Sequence, residues 1–238
     1  MIEWHEGVAS TQTLAHARAE VGASHGTAIV ARIQSEGRGT RGRAWVSGPG
    51  GLWLSVVLRP AAPAAVPLAS VRIGVALARQ LEPLTLGPVG LKWPNDLIAQ
   101  QRKLGGILCE TRWVGDRLGW MVAGVGINVR NELPAPFTDS AIRLADLGFA
   151  GGPEDLAEPV VASILDATGR AGLLDEEEMA AFASRDWLRG RDLAEPVAGR
   201  AAGITRAGHL VVERADGSRA ETVGSVTLAG LAHDEARR

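Results

Sequence analysis

The run Gln34-Ser-Glu-Gly-Arg-Gly-Thr-Arg-Gly-Arg-Ala-Trp45 sets Arg38, Arg41 and Arg43 among Gly37, Gly39 and Gly42 and closes on an indole. Glycines let backbone N–H groups approach a ligand closely and reach positive φ, and guanidinium forks match phosphate or carboxylate oxygens. The run reads as an anion-binding loop with Trp45 placed to lie against a base or sugar. A plainer reading stands beside it, a solvated glycine-rich loop whose arginines serve solubility. The same letters satisfy Gly-x-Gly-x-x-Gly, the dinucleotide fingerprint, but that fingerprint must open a helix and needs an acidic residue about 20 residues on. Here the chain continues into Trp45-Val-Ser-Gly-Pro-Gly-Gly51 and then Val57-Leu-Arg-Pro60, so the fingerprint fails.

Working outward, the loop joins two strand-like runs, residues 27–34 and the apolar Leu-Trp-Leu-Ser-Val-Val-Leu at 52–58. Upstream, residues 2–4 suggest a short strand. Ser10 and Thr11 then precede an Ala/Leu/Arg-rich helix to residue 20, with a hydroxyl N-cap or, alternatively, two hydroxyls beside free helix N–H groups that hold a small polar ligand. Downstream, residues 66–81 carry the apolar spacing of an amphipathic helix. Residues 89–92 run into Trp93-Pro-Asn-Asp96, a proline-broken turn, and residues 97–99, 104–113 and 118–129 alternate as a meander of hairpins. Helices are expected over 141–147, 154–171 and 176–188. The acidic run Asp175-Glu-Glu-Glu178 at the last of these reads as a solvated cap favoured by the helix dipole rather than a metal site.

Past Gly190 the texture changes to short strands, at 197–200, 202–205, 209–213, 219–223 and 225–228, separated by Arg206-Ala-Gly208 and Ala215-Asp-Gly217. That spacing describes a small barrel or sandwich, too small to be convincing alone and docked on a first domain. The organisation expected is therefore residues 1–190 and residues 191–238.

Composition narrows the class. With 46% hydrophobic residues and a net charge of -2 over 238 residues, disorder and a global affinity for nucleic acid or anionic membranes are disfavoured, and any anion site is local. The single cysteine, Cys109, lies in an apolar run and reads as core packing in a reducing compartment. Met-Ile-Glu-Trp-His5 has no basic stretch followed by an apolar one, and no apolar run approaches the roughly 20 residues of a membrane helix. A cytoplasmic protein without a membrane partner is expected.

Further charged or glycine-thinned elements answer the loop. These are Lys92-Trp-Pro-Asn-Asp96, then Arg102-Lys-Leu-Gly-Gly-Ile107, then Gly124-Val-Gly-Ile-Asn128. Singly, each has an ordinary explanation, with Lys103 as a solubilising edge charge and Asn128 as a turn former. Together with Ser10-Thr11, Gln34 and the loop, in this order, they resemble the biotin protein ligase family, and residues 197–217 also look like that family's C-terminal domain. The resemblance covers essentially the whole chain and is to the monofunctional type. With Ser10-Thr11 so near the start, no room is expected for the N-terminal DNA-binding domain that some members carry.

The resemblance implies an α+β fold, a catalytic domain similar to class II aminoacyl-tRNA synthetases followed by an SH3-like barrel. It implies ATP with Mg2+ and biotin as reactants, biotinoyl-5′-adenylate as intermediate, a biotin carboxyl carrier protein as lysine acceptor, and no nucleic-acid partner. Monomer and homodimer both stay open. Carried over residue by residue, Ser10, Thr11, Gln12, Gln34, Gly37, Arg38, Gly39, Thr40, Lys103 and Gly106 face biotin. Arg41, Arg43, Trp45, Lys92, Asn95, Asp96 and Asn128 face ATP or the adenylate. Lys103, Arg38 and Arg41 carry the chemistry, and no metal ligands are assigned. Attack of a carboxylate on an α-phosphate brings anions together, so aimed cations are its main need and no acid/base pair or nucleophile is required.

The chain departs from the family pattern at Thr40, where arginine is common, at Gln12, where asparagine is usual, and at Gly224-Ser-Val-Thr227 in place of Gly-Glu-Val-Ser. The nearest rival enzymes, lipoate ligases and octanoyltransferases, share the architecture, but Gly-Arg-Gly and Lys-Trp-Pro-Asn-Asp fit biotin enzymes better. A nucleotide-binding regulator or nucleic-acid module is the non-enzyme rival. The pI near 6.2 and the lack of a recognition helix disfavour it.

Overall fold

Strand β3 (Leu52–Leu58) is buried at every position, as its unbroken apolar run predicts for a strand covered on both faces. The computed structural model describes residues 1–60, 63–135 and 137–229. It places β3 inside a seven-stranded sheet with β1 (Ile2–His5), β2 (Ala28–Ala31), β4 (Gly90–Lys92), β5 (Asp96–Ala99), β6 (Arg102–Val114) and β7 (Arg117–Ile127). The order is β1-β2-β3-β7-β6-β5-β4. Strands β1 and β2 run parallel and the other neighbours antiparallel, so the sheet is mixed.

Two helices cover one face. Helix α2 (Ala69–Leu81) turns Val71, Ile73, Val75 and Leu77 inward, and α3 (Glu154–Thr168) adds Leu156, Val160, Val161 and Ile164 to the same core. The opposite face carries α1 (Thr11–Glu20), whose Ala15 and Ala19 pack on Ile29, Val57, Trp120 and Val122 in a smaller separate cluster. Alternation along the strands fixes what α1 overlies. Trp53, Ser55 and Val57 of β3 share a face; their partners on β7 are Gly126, Gly124 and Val122, and the partners of those on β6 are Gly106, Leu108 and Glu110. The apolar end of this face seats α1, and its glycine end stays thin.

A second, wholly antiparallel sheet follows, made of β8 (Asp192–Glu195), β9 (Gly199–Ile204), β10 (Leu210–Glu213), β11 (Arg219–Thr222) and β12 (Thr227–Leu228), in the order β11-β10-β9-β8-β12. Leu193, Ala201, Ile204, Leu210 and Val212 belong to the same apolar cluster as α2 and β3, which joins the sheets through one core. The joint also has polar ties. The indole N–H of Trp93 donates to the carbonyl of Gly208 at 2.9 Å, and Nε of Arg206 donates to the carbonyl of Leu174 at 2.8 Å.

Several expectations are corrected. The helix over 141–147 is only a 3₁₀ turn, Leu144–Leu147, because Ala141 pairs strand-like with Lys103 and Gly148 ends the turn at φ 97°. Helix α3 stops at Thr168, and α4 (Glu176–Ala183) stops short of residue 188 because Arg185 and Trp187 instead exchange backbone hydrogen bonds with Leu91. The strands expected at 197–200 and 202–205 are one strand, β9, and β8 lies ahead of the first strand expected in this part of the chain. Ser10 stands at the N-cap of α1, yet its hydroxyl makes no capping bond. The acidic run does cap α4, through Asp175 accepting from the Glu178 N–H at 2.7 Å, but Glu178 is not simply solvated. It pairs with the buried Arg72 at 2.7 Å. No group of three or more metal-ligating side chains occurs among the described residues. No described helix is long and apolar enough to cross a membrane. Burial pushes the Cys109 thiol up to about 12, in keeping with a packing role.

Candidate functional site

The site begins as a gap in side-chain volume. Gly126 and Gly106 lie opposite each other on β7 and β6, and the Trp45 indole fills the space above them. A Cβ on Gly126 would fall 2.7 Å from the indole nitrogen, and one on Gly106 would fall 3.3 Å from the ring carbons. Trp53, next along the same row, meets Trp45 edge-on at 6.4 Å and 72°. Above the indole, 5.0 Å from the ring centroid, stands the ammonium of Lys103, which also lies 2.8 Å from Asp96 Oδ1. Three motifs thus meet at one point: Trp45 from the loop, and, some fifty residues on, Asp96 from the proline-broken turn and Lys103 from the start of the next strand.

The next row is polar and densely bonded. Gln34 Oε1 accepts from the Thr11 N–H at 2.7 Å, and its Nε2 donates to Ser47 Oγ at 2.8 Å. Ser55 Oγ donates to Gln12 Oε1 at 3.0 Å, which leaves the Thr11 hydroxyl proton to serve either Ser55 at 2.9 Å or Gln34 at 3.0 Å. Gln12 Nε2 donates to the carbonyl of Val122 at 3.2 Å, and a Cβ on Gly124 would come 2.5 Å from Gln12 Oε1. The polar atoms of Thr11, Gln12 and Gln34 therefore clasp α1 and the loop to the sheet floor. Two donors remain unspent: Ser10 Oγ and Trp45 Nε1 are buried without a partner. An unpaired buried donor costs about 1–3 kcal/mol and points to an acceptor supplied from outside the chain.

The loop is a miniature hairpin. The Trp45 N–H donates to the carbonyl of Gly37 and the Gly39 N–H to that of Arg43, each at 2.8 Å. At its tip Arg41 adopts φ 61° in the left-handed region. Gly37 admits no side chain, since a Cβ would sit 2.3 Å from the Trp45 carbonyl oxygen and 2.4 Å from Ser47 Oγ. The three arginines part ways. Arg43 Nη2 folds onto Thr40 Oγ1 at 3.2 Å, Arg41 is exposed, and Arg38 Nη2 reaches Glu110 Oε2 at 2.7 Å. Glu110 is held below the usual carboxylate range, first by the hydrogen bond from His16, against the opposing effect of burial and with help from Gln12 and Arg38.

Not every residue picked from the sequence converges here. In Lys92-Trp-Pro-Asn-Asp96 only Asp96 reaches Lys103. The Lys92 ammonium stands 5.5 Å over the Trp187 ring, Trp93 ties to Gly208, and Asn95 ties its turn to β6 by donating to the carbonyl of Ile107 at 3.0 Å. Asn128 is buried between neighbours, donating to the carbonyl of Lys103 at 3.4 Å and accepting from Asn131 Nδ2 at 3.2 Å. Sequence reasoning missed Ser47, Ser55, Trp53 and Glu110. Ser55 and Glu110 had a signal, a polar residue on a strand in phase with the glycine row.

The model of the biotin/lipoate A/B protein ligase family matches residues 4–128, more than half of the chain. The bifunctional ligase/repressor BirA of Bacillus subtilis is 36% identical over 165 residues, 68% of this chain and 50% of the relative. The biotin--[acetyl-CoA-carboxylase] ligase of Mycobacterium tuberculosis is 37% identical over 144 residues, 56% of this chain and 51% of the relative. The chain spans about half the length of the curated relatives it matches. Among solved structures, biotin protein ligase from Aquifex aeolicus in complex with biotin and ATP superposes with a TM-score of 0.79 at 28% identity, covering 95% of this chain and 97% of that one. The mixed sheet followed by an antiparallel one is thus the arrangement of a biotin protein ligase structure.

Proposed function

The chain belongs to the biotin/lipoate A/B protein ligase family, and we propose that within it the protein is an ATP-dependent biotin ligase. The biotin carboxylate attacks the α-phosphate of ATP, an O–P bond forms, and pyrophosphate leaves to give biotinoyl-5′-adenylate. The neutral amine of a lysine on a biotin carboxyl carrier protein then attacks the acyl carbon. An amide forms, AMP departs and the amine's proton is released. The carrier is taken to be a subunit of acetyl-CoA carboxylase or a related carboxylase, as the name of the mycobacterial relative suggests.

The observation that carries this reading is the cation of Lys103 held over Trp45 on a glycine floor, in a chain whose Ser10 hydroxyl, at the start of α1, is also buried without a partner. Lys103 would leave Asp96 to meet the carboxylate and α-phosphate, supplying positive charge where the two anions converge. Trp45 offers an aromatic face and an unspent N–H to the adenylate, and Ser10 an unspent hydroxyl to the biotin ring. Thr11, Gln12 and Gln34 line the biotin end, where their mutual hydrogen bonds fix its shape and the second N–H of the Gln34 amide stays available to the ligand. Arg38, Arg41 and Arg43 close over the anions, with Gly37, Gly39, Thr40 and Gly106 giving the backbone its close approach. Lys92, Asn95 and Asn128 support the nucleotide side by holding the turn and strand end. Mg2+ would arrive on the ATP phosphates. Its fit is to the nucleotide, with Asp96 the carboxylate beside Lys103, and among the described residues no group of three or more metal-ligating side chains is present.

In the same reading, residues 1–190 form a catalytic domain of the class II aminoacyl-tRNA synthetase type. Residues 191–238 form an SH3-like domain, of which 230–238 lie outside the described residues. Pyrophosphate release should require biotin and ATP together, and a biotin carboxyl carrier domain should then become streptavidin-reactive at one lysine. Release supported by octanoate or lipoate but not biotin would move the chain to the lipoate branch of the family.

A further inference from the structure

Glu110, His16 and Trp120 stand outside every motif above, yet they converge on Arg38. Trp120 Nε1 lies 3.0 Å from His16 Nδ1, and an indole nitrogen only donates, so Nδ1 accepts and neutral His16 carries its proton on Nε2. That Nε2 lies 3.3 Å from Glu110 Oε2, the oxygen that accepts from Arg38 at 2.7 Å. Every bond then has one direction: Trp120 to His16, His16 to Glu110, and Arg38 to Glu110. The parts come from three elements, β7, α1 and β6. His16 sits one helical turn beyond Gln12, hence over the next row of the same floor.

We propose that Glu110, oriented by His16 and Trp120, is a positioning residue that fixes the Arg38 guanidinium over the substrate trough and leaves its other N–H groups for the reacting anions. The inference rests on the reading that Arg38 faces the biotin and adenylate anions. Bonded to one Glu110 oxygen through Nη2, Arg38 keeps the remaining prongs of its fork. Like any ordinary carboxyl, Glu110 is ionised at neutral pH, and the His16 bond, first among its contacts, holds it lower still. The Arg38 and Glu110 side chains are 43% and 35% exposed, so their attraction contributes little to global stability and its effect is orientation. His16 and Trp120 give the arrangement its rigidity, Trp120 being nearly buried within the α1 cluster.

The test uses the full chain with the variants Glu110→Gln, Trp120→Phe and Arg38→Ala and the double variant Arg38→Ala/Glu110→Gln. In ligand-free protein, trypsin nicking at Arg41 and Arg43 should rise about threefold or more in Glu110→Gln, with the melting temperature little changed, because a tethered loop opens less often. With biotin and ATP, kcat for pyrophosphate release should fall about tenfold in Glu110→Gln while KM for biotin stays within about twofold, the pattern of a mis-aimed transition-state cation. Trp120→Phe should show the same split more weakly. In the Arg38→Ala background, Glu110→Gln should have no further effect. Unchanged nicking in Glu110→Gln overturns the proposal, as does a kcat loss that persists undiminished in the Arg38→Ala background. If the wild-type protein releases no pyrophosphate with biotin, the biotin-ligase reading fails instead, and the nicking comparison still decides whether Glu110 tethers the loop.

Discussion

The ammonium of Lys103 and the carboxylate of Asp96 lie 2.8 Å apart, with the face of Trp45 closing the ammonium from a third side. Asp96 neutralises the lysine until a substrate anion competes for it. Lys103→Ala removes the cation held over Trp45 at the glycine floor and should slow biotin-dependent pyrophosphate release by about 10²- to 10³-fold. Near wild-type release from that variant would show that the charge acts elsewhere. Asp96→Asn frees the ammonium and should slow release far less than Lys103→Ala, which separates the partner's role from the lysine's.

Trp93 sits in the most motif-like part of the chain and acts as a joint between the sheets. Its N–H meets the carbonyl of Gly208, whose φ of 81° suits glycine, and a Cβ there would strike Leu68 at 2.5 Å. Trp93→Phe keeps most of the apolar contact and orphans that carbonyl, so it should cost about 1–3 kcal/mol in denaturant unfolding. An unfolding midpoint equal to wild type would mean that solvent satisfies the Gly208 oxygen.

Arg72 gives the clearest stability prediction. Its side chain is 3% exposed, and besides Glu178 it donates to the carbonyls of Arg170 and Gly172, at 3.1 and 3.2 Å, binding α2 to the approach of α4. Arg72→Ala strands Glu178 and should cost about 3–5 kcal/mol. Burial by itself raises the Glu178 carboxyl, but the Arg72 bond and the Asp175 N–H overcome it, and the group ends below its ordinary range. A lowered acid adds stability above its unfolded value and loses it as pH falls through the folded one. The stability gap between wild type and Glu178→Gln should therefore be full at neutral pH and close below the ordinary carboxylate range. A gap that stayed constant into acid would contradict the ion pair.

Period and composition made the sheet legible: β3 was read to its last residue, and the β5–β6–β7 meander followed from alternation and turn residues. The helix ends were not legible, because Leu91 captures Arg185 and Trp187 through backbone bonds that no local preference encodes. The glycines of the site announced close approach, but only the register shows that Gly106 and Gly126 oppose each other and that the approaching group is Trp45. Nor does adjacency in sequence to Asp96 tell where a side chain is aimed: the Lys92 ammonium stands over Trp187, and the Asn95 amide bonds the carbonyl of Ile107. Glu110 and His16 stayed hidden because a carboxylate on a strand and a lone histidine on an alanine-rich helix are each ordinary until topology brings them within hydrogen-bond reach.

Thr40 is where the chain departs from the arginine common in the biotin protein ligase pattern, and its surroundings show what the departure does locally. Its hydroxyl accepts from Arg43 Nη2 at 3.2 Å and its carbonyl from Arg43 Nε at 3.4 Å, so the loop tip spends a cation on itself. A side chain with its own guanidinium at this position would release Arg43 Nη2 and add a charge-assisted donor toward the adenylate, worth about 1.5–3 kcal/mol if it is desolvated. Thr40→Arg should then retain the intermediate about tenfold longer or more. The wild-type protein, with its shorter residence, should label bystander lysines more readily than the variant. The deciding measurement is the rate at which preformed biotinoyl-adenylate leaves each protein in a filter or stopped-flow chase. Equal rates would show that the tip arginines already hold the intermediate without help from position 40.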